Sequence, residues 1–456
     1  MSRPSAKCSN MPPGCRRSAS STSAPGHAPE MSDDTDVRTD AVPPPDQSAP
    51  AAPEPESVPL RCPAEGVPPV SVTAGEIARA AEKLAAGRGA FAVDAERASG
   101  FRYSNRAYLI QIRRHGAGTV LIDPVNHGGS PLDVLAPLAE VLGSDEWILH
   151  AADQDLPCLA EVGLRPPALY DTELASRLAG FDRVNLAAMV QRLLGLGLAK
   201  GHGAADWSIR PLPADWLNYA ALDVEVLIEL RDAIAEVLDE QNKSHWAAEE
   251  FEYLRCSEPT PTRRDRWRKT SGLHKVRTQH GLAAVREMWT VRDRIARTRD
   301  IAPGRILPDS AIIAAALAQP TTVEELTALP VFGGSKQKRS ARVWLDALRA
   351  ARTSTDLPEI SEPLDGPPPP VRWARRNPEA AARLEAARAV LAGLSGQVGV
   401  PTENLVSPDL VRRLCWDWTT PADAGTAVAD FLRDGGARNW QCELVAPVLA
   451  DALGRP

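Results

Sequence analysis

The stretch "GAFAVDAE", residues 89–96, decides how the rest of the chain is read. Its small and apolar residues predict a strand, yet the run ends with Asp94 and Glu96 one residue apart. Residues i and i+2 of a strand face the same side, so both carboxylates crowd one surface. Carboxylates are rarely buried without a cation or metal beside them. Either this strand is an exposed edge, or something positive sits between the two acids.

Two more strand-like runs follow, "AYLIQIRR" (107–114) and "TVLIDP" (119–124), and a fourth, "EWILH", at 146–150. "SVTAGEIARAAEKLAAG" (71–87) reads as a helix capped by Thr73. "PLDVLAPLAEVLG" (131–143), "ALYDTELASRLAG" (168–180), "NLAAMVQRLLGL" (185–196) and the run from Pro213 to about Gln241 also read as helices. Early strands, then strands mixed with helices, predict an α/β domain with a mixed sheet over residues 71–240. Residues 1–70, rich in Pro, Ser and Ala, are expected to form a disordered tail in which Met31 is a second candidate start. After a connector at 241–262 the strand signals fade, and residues 263–353 and 371–456 predict two small all-α units. A proline-rich linker, 354–370, separates them. Pro308-Asp309 and Pro408-Asp409 each precede a helix and are read as capped starts in a distant duplication.

A length of 456 residues suggests several domains, and 43% hydrophobic with 24% charged residues is a soluble globular composition. No apolar run reaches the ~20 residues of a membrane span, and no secretory h-region is present. Seven scattered cysteines without a CxxC pair disfavour a disulfide framework and a thiolate zinc site, so a reducing cytoplasm is expected. The net charge of −7 conceals an uneven distribution. Residues 31–60 hold seven acids against Arg38, whereas residues 261–300 hold twelve Lys or Arg against four acids. The basic segment is the better guide to partners.

Further acids stand in "HAADQDLPCLAEVG" (150–163), where Asp153 and Asp155 mark the passage from strand to helix. That is the carboxyl end of the sheet, where α/β folds place their sites. In "DWLNYAALDVEVLIEL" (215–230), Leu217, Ala220, Val224, Leu227 and Ile228 form an apolar stripe. Tyr219 and Asp223, four residues apart, stack on its flank. Each feature alone has an ordinary reading as an exposed acid pair, a helix cap or a helix surface. Their order along the chain gives them weight.

Asp-x-Glu on a first strand, an Asp about sixty residues on, and Tyr-x-x-x-Asp on a later helix is a sequence pattern that resembles the DEDDy 3′–5′ exonucleases. "SNRAYLIQIRR", "HAADQDL", "YDTELASRLAG" and "DWSIRPLPADWLNYAALDV" are similar to segments of the ribonuclease D family, in its order. The resemblance implies an RNase H-like exonuclease domain and a two-metal active site. Carried over by position, Asp94, Glu96, Asp155 and Asp223 are the metal ligands and Tyr219 positions water; Asp153 is left a neighbouring or solvent role. Four carboxylates without a cation would repel or take up protons, and two divalent ions balance four ionised acids. Hard oxygen ligands suit Mg²⁺ or Mn²⁺ better than Zn²⁺. A tyrosine with a pKa near ~10 is a poor base, which favours positioning over proton abstraction.

"GLGLAKGHG" (195–203) lacks the GxxxxGK[ST] spacing of a nucleotide loop. Lys200 and Arg210 are candidates for substrate phosphate, with a solvated loop as an equal alternative. His150, at the end of a strand, reads as a packed or neighbouring residue rather than a ligand. "VREMWTVRDRIARTRDIAPGRILPDSAII" (285–313) resembles the HRDC domain, a helical nucleic-acid-binding module. Trp289 reads as core, and the cluster of Arg292, Arg294, Arg297 and Arg299, joined by "GGSKQKRSARVW" (333–344) and Trp267, as an RNA surface. "VPTENLVSPDLVRRLCW" and "GARNWQCELVAPVLADAL" are similar to the family's C-terminal helical domain. The expectation is a metal-dependent 3′–5′ exoribonuclease, monomeric, releasing nucleoside 5′-monophosphates from RNA; the resemblance supplies tRNA precursors as substrate. An exodeoxyribonuclease and an inactive RNA-binding scaffold remain as rivals.

Overall fold

The computed structural model describes residues 57–125, 128–199, 201–257, 265–361, 366–419 and 421–454. Residues 1–56, with Met31 and nearly all of the acidic run, lie outside the described residues, as does Lys200. The expected mixed sheet has six strands in the order β2-β5-β4-β3-β6-β7. These are β2 (Val70–Ser71), β3 (Arg88–Arg97), β4 (Ala107–His115), β5 (Gly118–Ile122), β6 (Trp147–Leu149) and β7 (Leu169–Asp171). β4 runs antiparallel to β3 and β5, while β6 runs parallel to β3 and β7. Tyr108, Leu109, Ile110 and Ile112 bury β4 on both faces, as a central strand requires.

Register decides where the acids go. Asp94 pairs with Gln111 and Glu96 with Leu109, so both acids stand on the sheet face crossed by helix Ala214–Glu225. That helix turns Ala220, Ala221 and Val224 inward and breaks at Val226, where helix Leu227–Glu240 begins. Thr73 caps helix Ala74–Ala85 as expected, its hydroxyl accepting from Glu76 N while Glu76 reaches back to Thr73 N.

Three readings are corrected. "ALYDTELASRLAG" is not all helix, because Leu169–Asp171 joins the sheet as β7 before helix Thr172–Leu178 starts. Three buried residues are too few to show a strand period beside a helical one. Residues 57–70, placed in the disordered tail, include the start of β2 and also β1 (Val58–Leu60), which pairs in parallel with β8 (Leu196–Leu198). Third, neither Asp309 nor Asp409 caps its helix. Asp309 instead accepts from Ser271 N and pairs with buried Arg292 at 2.6 Å, and Asp409 pairs with Arg413.

The two helical units share a plan. Helices Gln279–Arg299, Pro303–Ile306 and Asp309–Ala318 have 21, 4 and 10 residues, as do Pro378–Val398, Thr402–Leu405 and Pro408–Asp417. Their cores differ. The first unit closes its own around Trp267, Met288, Phe332 and Trp344. The second merges with the core of the sheet domain. There Trp440 stacks on Trp246 at 4.9 Å, and Glu250 accepts from Trp440 Nε1 and Arg438 Nε.

The first unit grips the sheet domain through the β3–β4 loop. Asp300, at a left-handed φ of 47°, accepts from Ser104 N, Arg106 Nη2 and Tyr108 Oη. Ala302 N donates to Phe101 O, and Arg305 donates to Gly100 O while lying over the Phe101 ring at 4.0 Å. Replacing Asp300 by glycine keeps the positive φ open and removes the carboxylate. Asp300→Gly is expected to speed amide hydrogen exchange in residues 98–106 while leaving protection in β4 and β5 unchanged; equal exchange in the loop would show that the contact holds nothing.

Candidate active site

Asp94 and Glu96 stand near the C-terminal end of β3, and Asp223 descends from the helix that crosses that face. One carboxylate oxygen from each of the three lies within 4.8 Å of the others. Asp155 follows β6, the parallel neighbour of β3, and its carboxyl is hydrogen-bonded to Asp94. Tyr219, one turn before Asp223, donates its hydroxyl to that residue's carboxylate. All five border one cavity of about 550 Å³. Five residues singled out across 130 positions of sequence therefore meet in one place.

Placing Asp155 takes a strained turn. Ala151 adopts the left-handed region, φ 60° and ψ 56°, which costs an L-residue with a Cβ roughly 1–2 kcal/mol. Asp171 offsets that strain. Its buried carboxylate accepts from Ala151 N at 3.1 Å and Ala152 N at 2.8 Å, and caps helix Thr172–Leu178 through Glu173 N and Leu174 N. Burial pushes its pKa up to about 6, against four backbone N–H groups that lower it. This role is hidden in the sequence, where Asp171 reads as a residue within a helix. An acid followed directly by Thr-Glu is a helix-start signal that could have shown it.

A second wall was also missed. "GLGLAKGHG" supplies β8 and then a loop whose Leu198, Ala199, Gly201 and Gly203 border the cavity. A Cβ at Gly201 would fall 1.7 Å from Tyr219 Cε2, so only glycine lets the backbone pass this close to the ring.

The electrostatics follow from burial. Glu96 is pushed up to about 10, by desolvation first and then by Asp94, Asp223 and Asp155. Desolvation likewise raises Asp94, Asp155 and Asp223. Arg97 opposes this from 3.5 Å beside Asp155, one guanidinium against four acids. Burial and the neighbouring acids raise Tyr219 well above its ordinary value, so its hydroxyl keeps its proton. Four oxygen donors short of positive charge fit hard divalent cations, and the donor set holds no thiolate.

The remaining candidates separate clearly. Asp153 is exposed and outside the cavity wall, whereas His150 borders it. Arg210 is structural: it holds buried Asp123 at 2.7 Å and donates to the carbonyls of Tyr108 and Trp207. In the first helical unit Arg292 is buried against Asp309 and Leu307 O and is not free for RNA, whereas Arg297 pairs with Asp293 and Tyr103 at an exposed position. Trp267 is core, and Trp289 packs against that core. Arg294, Arg299, Lys338, Arg339 and Arg342 are exposed.

Comparison with known proteins supplies the family. A 3′–5′ exonuclease model matches residues 69–239, the HRDC domain matches 281–348, and the 3′ to 5′ exonuclease C-terminal domain matches 366–453. The ribonuclease D of Granulibacter bethesdensis is 30% identical over 290 residues, covering 61% of this chain and 70% of its own length. A protein of Bifidobacterium adolescentis with a crystal structure is 36% identical, with a TM-score of 0.78 over 88% of this chain and all of that one. Escherichia coli RNase D, an exoribonuclease involved in structured RNA processing, is 24% identical and superposes with a TM-score of 0.61 over 84% of this chain and 98% of its own. The fold is thus an RNase H-like exonuclease domain followed by helical units. With three models in this order along one chain, and a ribonuclease D matched over most of its own length, this chain belongs to the ribonuclease D family.

Proposed function

We propose that the chain removes nucleotides one at a time from the 3′ end of RNA, precursors of tRNA among its substrates, releasing nucleoside 5′-monophosphates. In this reading Asp94, Glu96, Asp155 and Asp223 hold two divalent ions, Mg²⁺ or Mn²⁺, in a cytoplasmic monomer. One observation carries it: four carboxyls share a cavity that, among the described residues, has one guanidinium beside it, that of Arg97. When bound, such a pair of ions supplies Lewis-acid stabilisation of the charge that develops around phosphorus.

The chain's own groups do the rest. Tyr219, still protonated and anchored on Asp223, orients the attacking water, a task its raised pKa permits and proton abstraction it forbids. Leu186, Leu198 and Leu227 give the cavity an apolar wall against which a terminal base can rest. The exonuclease unit, 71–240, performs the cleavage. The unit at 263–353 holds the RNA body through exposed Lys338, Arg339 and Arg342, and the unit at 371–456 braces the core. Among the described residues no helix is long and apolar enough to cross a membrane.

Incubation with 5′-labelled RNA and Mg²⁺ is expected to give a one-nucleotide ladder that a chelator abolishes; binding without shortening, or preferential loss of DNA, would contradict the reading. Asp94→Ala should abolish the ladder while sparing RNA binding. Tyr219→Phe should slow turnover substantially, and a wild-type rate would remove its assigned role. Reversing charge at Arg339 and Arg342 together should weaken RNA binding and lower the salt slope of log K by roughly two.

Stability carries its own signature. The folded chain holds Glu96 protonated far above the ordinary 4.5, so it binds more protons than the unfolded chain. Stability of chelator-treated protein should therefore fall as pH rises from about 6 to about 9, and Mg²⁺ should restore most at the upper end. A flat chelator profile would mean that the acids are not crowded.

A further inference from the structure

His150 is the residue that follows β6, and it borders the cavity beside Asp94 and Asp155 without belonging to the carboxylate cluster. Its Nδ1 lies 2.9 Å from Thr172 Oγ1, and that same hydroxyl lies 3.1 Å from the carbonyl oxygen of Leu149. Thr172 has one hydroxyl hydrogen to share between two contacts. A carbonyl can only accept, so the hydrogen goes to Leu149 O, and the imidazole must then donate from Nδ1. The tautomer is thereby fixed, and Nε2 is left with a bare lone pair.

Thr172 is completely buried, so the Nδ1 edge of the ring faces the core. His150 also borders the cavity, so the orientation that turns Nδ1 inward assigns the opposite edge, carrying Nε2, to the cavity side, and among the described residues Nε2 has no hydrogen-bond partner. Burial keeps the ring neutral, its pKa pushed down to about 4 despite the nearby Glu173. The cavity therefore offers one uncharged, fixed acceptor among acids.

A nucleic-acid end presents few donors to such a group. Phosphates have none, and the donors of the bases change from one nucleotide to the next. A ribose hydroxyl is the donor that every ribonucleotide carries. We infer that Nε2 of His150 accepts a hydrogen bond from a hydroxyl of the terminal ribose, which makes His150 a specificity-determining residue. This rests on the reading that the cavity takes the 3′ end of a nucleic acid. If the donor is the 2′ hydroxyl, this single contact separates RNA from DNA, because a site built to accept that hydrogen is left unpaired by a substrate lacking it.

The test uses the full chain, wild type and His150→Ala, with three 5′-labelled RNAs that end in ribose, 2′-deoxyribose or 3′-deoxyribose. The wild type is expected to lose roughly tenfold or more in kcat/KM on one of the two modified ends. Whichever end is disfavoured identifies the hydroxyl. His150→Ala should cleave all three within roughly twofold of one another. Thr172→Val keeps the imidazole, frees its tautomer, and should shrink the discrimination in the same direction, which covers failure of the alanine variant to fold. Equal cleavage of all three ends by the wild type, or an undiminished ratio in the variants, overturns the inference and leaves the proposed function standing. No cleavage of any RNA by the wild type sinks both.

Discussion

Like charges held in one buried cavity repel, and that repulsion organises this molecule. Asp94, Glu96, Asp155 and Asp223 come from a strand, the turn after a second strand and a helix that crosses the sheet. Local sequence pairs Asp94 with Glu96 but brings neither to Asp155 or Asp223, and without cations desolvation raises the pKa of all four, with neighbouring acids adding to the rise at Glu96, Asp155 and Asp223. Only a scaffold whose packing energy lies elsewhere can hold such a cluster. Strands β3 and β4 provide that packing, with Phe91, Val93, Ile110 and Ile112 fully buried around the acids.

The scaffold also spends local strain where the chemistry is. Ala151 sits in a backbone region that a residue with a Cβ avoids, and the carboxylate of Asp171 takes up the two amides that this conformation exposes. One buried acid thus fixes the position of another without touching it. Gly201 plays the complementary part on the far wall, where the absence of a side chain allows the loop to close on Tyr219.

Much of this was legible in the sequence, for reasons that particular residues make plain. Asp94 and Glu96 share a strand period, and Tyr219 and Asp223 share a helical one, so local geometry announced each pair. The four strands with five or more residues of pattern, or a clear apolar run, were found. Leu169–Asp171 was not, because three residues carry too little period beside a strong helix. Arg210 and Arg292 misled as candidate phosphate contacts because their partners, Asp123 and Asp309, lie 87 and 17 residues away. An arginine bound inside a fold looks the same in sequence as one that faces water. The cavity wall made by Leu198, Ala199, Gly201 and Gly203 was hidden for a related reason: its importance is its closeness to a ring encoded elsewhere.

The shared core of the sheet domain and the last helices bears on how the protein comes to exist. Trp246, Glu250 and Phe251 close the nuclease half, but their cover includes Arg438 and Trp440, near the far end of the chain. Synthesis runs from the N-terminus, so a ribosome-bound chain carries the complete catalytic sequence well before it carries the lid of its own core. The nuclease half consequently cannot complete its core until Arg438 and Trp440 have been made, long after the last of its four carboxylates, Asp223.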